Sequence, residues 1–136
     1  MNILDNLVEK SLDGDYEALK KLLMLLTDYI PPGIDNMVLL YEEGDRTIYL
    51  SSDGVKSVMV GRGEFLPFIE SHMTTIPIER LKDNILEGVK NSLDRILRDI
   101  YEILVKWMDH GLEDHPLYDY IPKYIDWYRK RFRGDI

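Results

Sequence analysis

Three groups of residues in this chain have types and spacings that could do chemistry. The densest lies near the C-terminal end, where Lys123, Arg129, Lys130, Arg131 and Arg133 interleave with Tyr124, Trp127, Tyr128 and Phe132. Basic side chains neutralise phosphates and flat aromatic rings stack on bases, so the pattern suits a nucleic-acid groove. It also suits a membrane surface, a partner's groove, or a last helix whose aromatics pack on the body while its cations offset an acidic surface. Eight of the fourteen aromatic residues (nine Tyr, three Phe, two Trp) fall after residue 100, which sets this segment apart.

The second group is Gly61-Arg62-Gly63, expected between a strand and a helix. Backbone N–H groups at a helix start can hold an anion, and Arg62 would add a charge-assisted donor. The loop lacks the Lys-Ser/Thr ending of a P-loop and the spacing of a dinucleotide fingerprint, and Glu64 follows it directly. An ordinary strand-to-helix turn is the plainer reading.

The third group is His110, Asp114 and His115, with Asp109 and Glu113 beside them. Imidazole and carboxylate donors together suit Zn²⁺ or another divalent ion. The two histidines stand five apart, a spacing that does not put both on one helix face, and His72 could join them only through the fold. The plainer reading is a polar helix terminus and a loop, with His110 favoured by the helix dipole. A metal-dependent enzyme would rest on this cluster alone, because no Ser/His/Asp arrangement has a local signature here.

The largest element available to position these groups is a helix expected over residues 77–110. Apolar residues recur at Ile78, Leu81, Ile85, Val89, Leu93, Ile96, Ile100, Ile103 and Trp107, which is a helical period. They fall within about 120° of arc, and Leu86, Leu97, Leu104 and Met108 widen the face to roughly half the circumference. On the opposite face Asp94, Arg98, Glu102 and Lys106 alternate in sign at i+4. Pro77 marks the start and Gly111 the stop. Such a helix would span about 45 Å, whereas a domain of this length has a radius of gyration near 14 Å. It must therefore bend, break near Gly88, or protrude into a partner.

Ahead of it, residues 2–12 and 16–30 read as an N-terminal helical hairpin, broken at Asp13-Gly14-Asp15 and ended by Pro31-Pro32-Gly33. The string DGDYEALKKLL, residues 13–23, is similar to the loop–helix joint of ankyrin-type repeats, but nothing recurs at a period of about 33 residues. Residues 37–41, 46–50 and 55–60 are β-rich and separated by Glu42-Glu43-Gly44-Asp45 and Ser51-Ser52-Asp53-Gly54, which predicts a three-stranded antiparallel meander. Phe65 to His72 reads as a short helix or turn. A short C-terminal helix is expected from Asp119–Pro122 to Phe132.

The expectation is thus an α+β chain, one domain over 1–136, with the sheet covered by the long helix and a basic, aromatic segment at 116–136. There is no cysteine, hence no disulfide framework or thiol chemistry. Net charge is −8; residues 1–115 carry the acidic excess and residues 116–136 a basic one, so only the tail would attract nucleic acid or an anionic membrane. No apolar run is long enough to span a membrane, no signal peptide is visible, and a cytoplasmic protein is expected. The absence of Gln and the high charge lean towards thermophile composition. The leading functional expectation is a small, acidic, non-enzymatic interaction or assembly module, homodimeric through the long helix, with no cofactor. Nucleic-acid binding through the C-terminal helix is the first alternative. A metal-dependent enzyme using residues 109–115 is the second.

Overall fold

Asp15 opens the second helix with its own side chain: Oδ1 accepts a hydrogen bond from the Ala18 N–H at 3.1 Å, the usual way of satisfying an orphan donor in the first turn. The computed structural model describes residues 3–62, 69–109 and 121–133. Helices α1 (Ile3–Leu12) and α2 (Tyr16–Thr27) form the expected hairpin. Gly14 takes φ 97° at the turn between them. Leu4, Val8, Leu19, Leu22, Leu23 and Leu26 are buried along the facing stripes.

The sheet has four strands, not three: β1 (Val38–Glu43), β2 (Arg46–Ser51), β3 (Gly54–Arg62) and β4 (Ile69–Ile76), all antiparallel in the order β1-β2-β3-β4. The expected helix or turn at 65–72 is therefore corrected at Ile69–His72, which begin β4; residues 63–68 lie outside the described ones. The sequence IESHMTTI conceals its strand because it lacks apolar alternation, the usual sign of a strand with one buried face. Pairing with β3 decides the matter, from Val55↔Ile76 to Arg62↔Ile69. One face of the sheet buries Val38, Leu40, Ile48, Leu50 and Val55 beneath the helices, as an antiparallel sheet with a single covered face should.

The stretch 77–110 is helical but not one helix. A 3₁₀ turn, Ile78–Arg80, precedes α3 (Asp83–Asn91) and α4 (Leu93–Asp109). Ser92 both closes α3 and opens α4: its N–H donates to the Gly88 and Val89 carbonyls at 3.2 and 3.1 Å, and its own carbonyl accepts from Ile96 at 3.0 Å. Two shorter helices can each lie on the body where one long one would overshoot it. Their shared apolar face, Ile85, Leu86, Val89, Leu93, Ile96, Leu97, Ile100, Tyr101 and Leu104, is buried in the chain's own core. Ile103, Trp107 and Met108, at the C-terminal end of the face expected to mediate a dimer, are half-buried. The last helix, α5 (Ile121–Tyr128), packs on α4 and continues into a π turn, Arg129–Arg133. No helix among the described residues is long and apolar enough to cross a membrane.

Candidate functional site

The basic, aromatic segment is built into the body by its rings. Tyr124 is fully buried, Trp127 is 6 % exposed and Tyr128 is 7 % exposed. The Tyr124 hydroxyl donates to the Leu97 carbonyl of α4 at 2.8 Å, and burial pushes its phenol well above the ordinary range, so it stays neutral. Tyr124 packs against Tyr29 of the loop after α2, with centroids 5.1 Å apart. Tyr128 stacks on Tyr101 of α4 at 4.4 Å and on Phe132 at 4.7 Å. These faces are spent on one another and are not open to a base in this structure.

Three of the segment's cations, Arg129, Lys130 and Arg131, are drawn into local contacts. Asp5 of α1 accepts from both Trp127 Nε1 at 2.8 Å and Arg131 Nη1 at 2.9 Å. Lys130 pairs with Asp126 at 3.0 Å. Arg129 donates from Nε to the Tyr101 hydroxyl at 2.9 Å. Lys123 is exposed at the rim of a cleft of about 600 Å³, bordered by Asp5, Glu9, Asp126, Trp127, Lys130 and Arg131. Three carboxylates and three cations line that cleft, so their formal charges cancel. Arg133 ends the π turn. Sequence reasoning had no access to Asp5 as the organiser of this region, because it stands 126 positions from Arg131 and shares no period with it.

The anion-loop expectation falls partly outside the described residues. Gly61 and Arg62 lie within β3, paired with Glu70 and Ile69 of β4, the next described element. Gly63 and the residues to 68, where the expected helix would start, lie outside the described residues. The metal-site residues His110, Asp114 and His115, with Glu113, also lie outside them. Asp109 ends α4 and is exposed, while His72 stands in β4 opposite Met59. Among the described residues no group of three metal-ligating side chains converges.

The feature that sequence reasoning missed is the contrast between the two sheet edges. The β1 edge is guarded. A bulge between Leu39 and Tyr41 interrupts its register. Arg95 of α4 donates from Nη2 to the Leu39 carbonyl at 2.6 Å, and Asp99 holds the guanidinium in place at 2.9 Å. Both devices blunt an edge against further pairing. The β4 edge shows neither device: eight residues run in unbroken register with β3, without proline. Met73, Thr74 and Thr75 are exposed along it. The β3–β4 ribbon also outruns β2, whose last pair with β3 is Arg46↔Met59, and Met59 there is 52 % exposed. The sequence signal that could have found β4 is its Thr74-Thr75-Ile76 run, β-branched and well suited to a strand. No known family, curated protein or solved structure matches the chain.

Proposed function

We propose that this chain is a non-enzymatic protein-interaction module whose docking element is the β4 edge. An edge strand presents a row of backbone N–H and C=O groups that an extended segment of another chain can complete, with main-chain hydrogen bonds supplying affinity. The observation that carries this reading is the asymmetry of the sheet: β1 is closed by a bulge and by Arg95, while among the described residues nothing pairs with the outer side of β4. Proteins ordinarily protect such an edge, so a regular strand that no described residue pairs with on its outer side reads as an edge kept for use. The cytoplasm is the compartment this reading assumes.

Site-specific photo-crosslinking tests it. A benzoyl-phenylalanine at Thr74 of β4 is compared with one at Glu42 of β1, both exposed positions. A protein adduct from position 74 and none from position 42 is expected. No adduct from position 74, or equal adducts from both, overturns the reading.

A further inference from the structure

We infer that the groove around the β2–β3 turn docks a basic amphipathic segment of a partner protein. The segment sets large apolar side chains on Met24 and Ile34 and a lysine or arginine beside Asp28. Met73 of β4 borders this groove, but docking there does not depend on β4 being an edge kept for use.

The groove gathers apolar side chains that the rest of the surface keeps apart. Among the described residues the exposed large apolar side chains are Ile3, Leu12, Met24, Ile34, Met59 and Met73. Three of these six line two adjoining clefts, of about 420 and 370 Å³, that share Asp53 of the β2–β3 turn. Met24, 52 % exposed, lines the first with Leu25 and Ile78. Ile34, 75 % exposed, lines the second with Met37 and Met73. Single exposed apolar residues need no explanation, whereas a cluster of them marks a binding surface. Methionine, unbranched and polarisable, lets such a surface adapt to what it holds.

Charge selects the occupant. The last turn of α2 forms one wall of the first cleft. The carbonyl end of a helix carries partial negative charge, which a cation in the last turn offsets. Helices α1, α3 and α4 have that cation, in Lys10, Lys90 and Lys106. Helix α2 has no basic residue in its last turn and is closed by Asp28, a carboxylate where the dipole disfavours one. The described lining of this cleft adds Asp53 and no cation. Lys56 lines the second cleft, but its ammonium is 3.2 Å from Asp53 and donates to the Thr75 hydroxyl at 2.8 Å. Exposed Asp35 directly follows Ile34. An apolar groove with a negative end that lacks its own cation is complementary to an apolar segment flanked by Lys or Arg. A second copy, of net charge −8, would instead be repelled at long range.

Fluorescence anisotropy tests this docking, with the full chain titrated into a labelled amphipathic peptide of leucine and lysine. A peptide of the same pattern with glutamate in place of lysine is the comparison. Saturable binding of the lysine peptide and none of the glutamate peptide is expected. Asp28→Lys should weaken binding by at least about tenfold and raise Tm, because it supplies the cation that the end of α2 lacks. Binding lost from a more stable protein cannot be a folding defect. Asp13→Lys makes the same change of net charge at an exposed position outside both clefts and should leave the affinity unchanged. Met24→Ser and Ile34→Ser should each weaken binding, while Leu12→Ser, at a position 44 % exposed on α1, should not. Equal losses in Asp28→Lys and Asp13→Lys would reduce the attraction to bulk charge and overturn the inference. No saturable binding, equal affinity for the glutamate peptide, or indifference to Met24→Ser and Ile34→Ser would overturn it too. Self-association of the free chain that Met24→Ser abolishes would make a second copy the occupant, with the same consequence. The adduct from Thr74 reports on the β4 edge alone, so the two readings fail separately.

Discussion

The ring of Tyr41, on β1, lies directly against the bare Cα of Gly88 in the middle of α3. A Cβ built on Gly88 would stand closer than 3.0 Å to the ring atoms Cδ1 and Cε1 of Tyr41. Gly in a helix interior costs about 1 kcal/mol relative to Ala, so the position is retained for the contact with the sheet and not for the helix. Gly88→Ala is expected to destabilise the fold by about 1–3 kcal/mol, the overpacking cost exceeding the gain in propensity. Urea unfolding of Gly88→Ala, Tyr41→Ala and the double variant reads this as a cycle. In the Tyr41→Ala background, Gly88→Ala should become neutral or stabilising; equal effects in both backgrounds would show that the ring is not the cause.

Asp5 ties the first helix to the last through Trp127 and Arg131. Its removal leaves the indole N–H of a nearly buried Trp without its acceptor, at a cost of about 1–3 kcal/mol. The Arg131 pair is partly exposed, with side chains 23 % and 31 % accessible, and adds at most about 1 kcal/mol. Asp5→Ala should therefore lower the unfolding midpoint clearly. Glu9→Ala, whose carboxylate is 60 % accessible and 3.8 Å from Arg131, should scarcely move it. Comparable losses in both variants would assign the effect to general charge and not to the Trp127 hydrogen bond.

Acid should loosen the fold through two carboxyls. Glu87 accepts from the Tyr16 hydroxyl at 2.5 Å. That bond first, and the contact from Lys90 second, hold its carboxyl below the ordinary 4.5. Asp53 is held below 3.8 by the Ser51 hydroxyl and then by Lys56. A carboxyl with a depressed folded pKa contributes stability that is present above its unfolded pKa and is lost as pH falls through the folded one. Tm should accordingly hold level from neutral pH to about 5 and decline below about 4. Tyr16 has the opposite sense: the bond to Glu87 raises its phenol above 10.0, so its contribution is present below that value and lost as pH rises through the raised one. Glu87→Gln should make the acid decline shallower, and Tyr16→Phe should do the same for the alkaline decline. An acid limb unchanged in Glu87→Gln would refute the assignment.

The C-terminal segment should not bind nucleic acid by phosphate neutralisation and stacking. Its Tyr124, Trp127 and Tyr128 rings are buried, Arg131 and Lys130 are paired with carboxylates, and the chain carries a net charge of −8. Fluorescence anisotropy of labelled DNA and RNA across a salt series is expected to show no tight, salt-sensitive binding. A log–log salt slope of about −3 or steeper, as four neutralised phosphates would give, would reverse this.

The α+β class, the N-terminal hairpin, β1 to β3 and the terminal helix were legible in the sequence because each writes its period locally. Leu19, Leu23 and Leu26 mark a helix and Ile48 with Leu50 mark a half-buried strand without reference to anything distant. The amphipathic face of 77–110 was legible for the same reason, but its apparent length was not its true length. Its side-chain period continues across Ser92, where the backbone ladder does not. The chain divides at Ser92, between α3 and α4, a position that the apolar period does not mark. β4 was hidden because its stabilisation comes from hydrogen bonds to β3 and not from an apolar face of its own. The aromatic segment displayed its residue types but not their partners: whether Trp127 meets a base or Asp5 is decided by contacts between the two ends of the chain, and no local pattern encodes those.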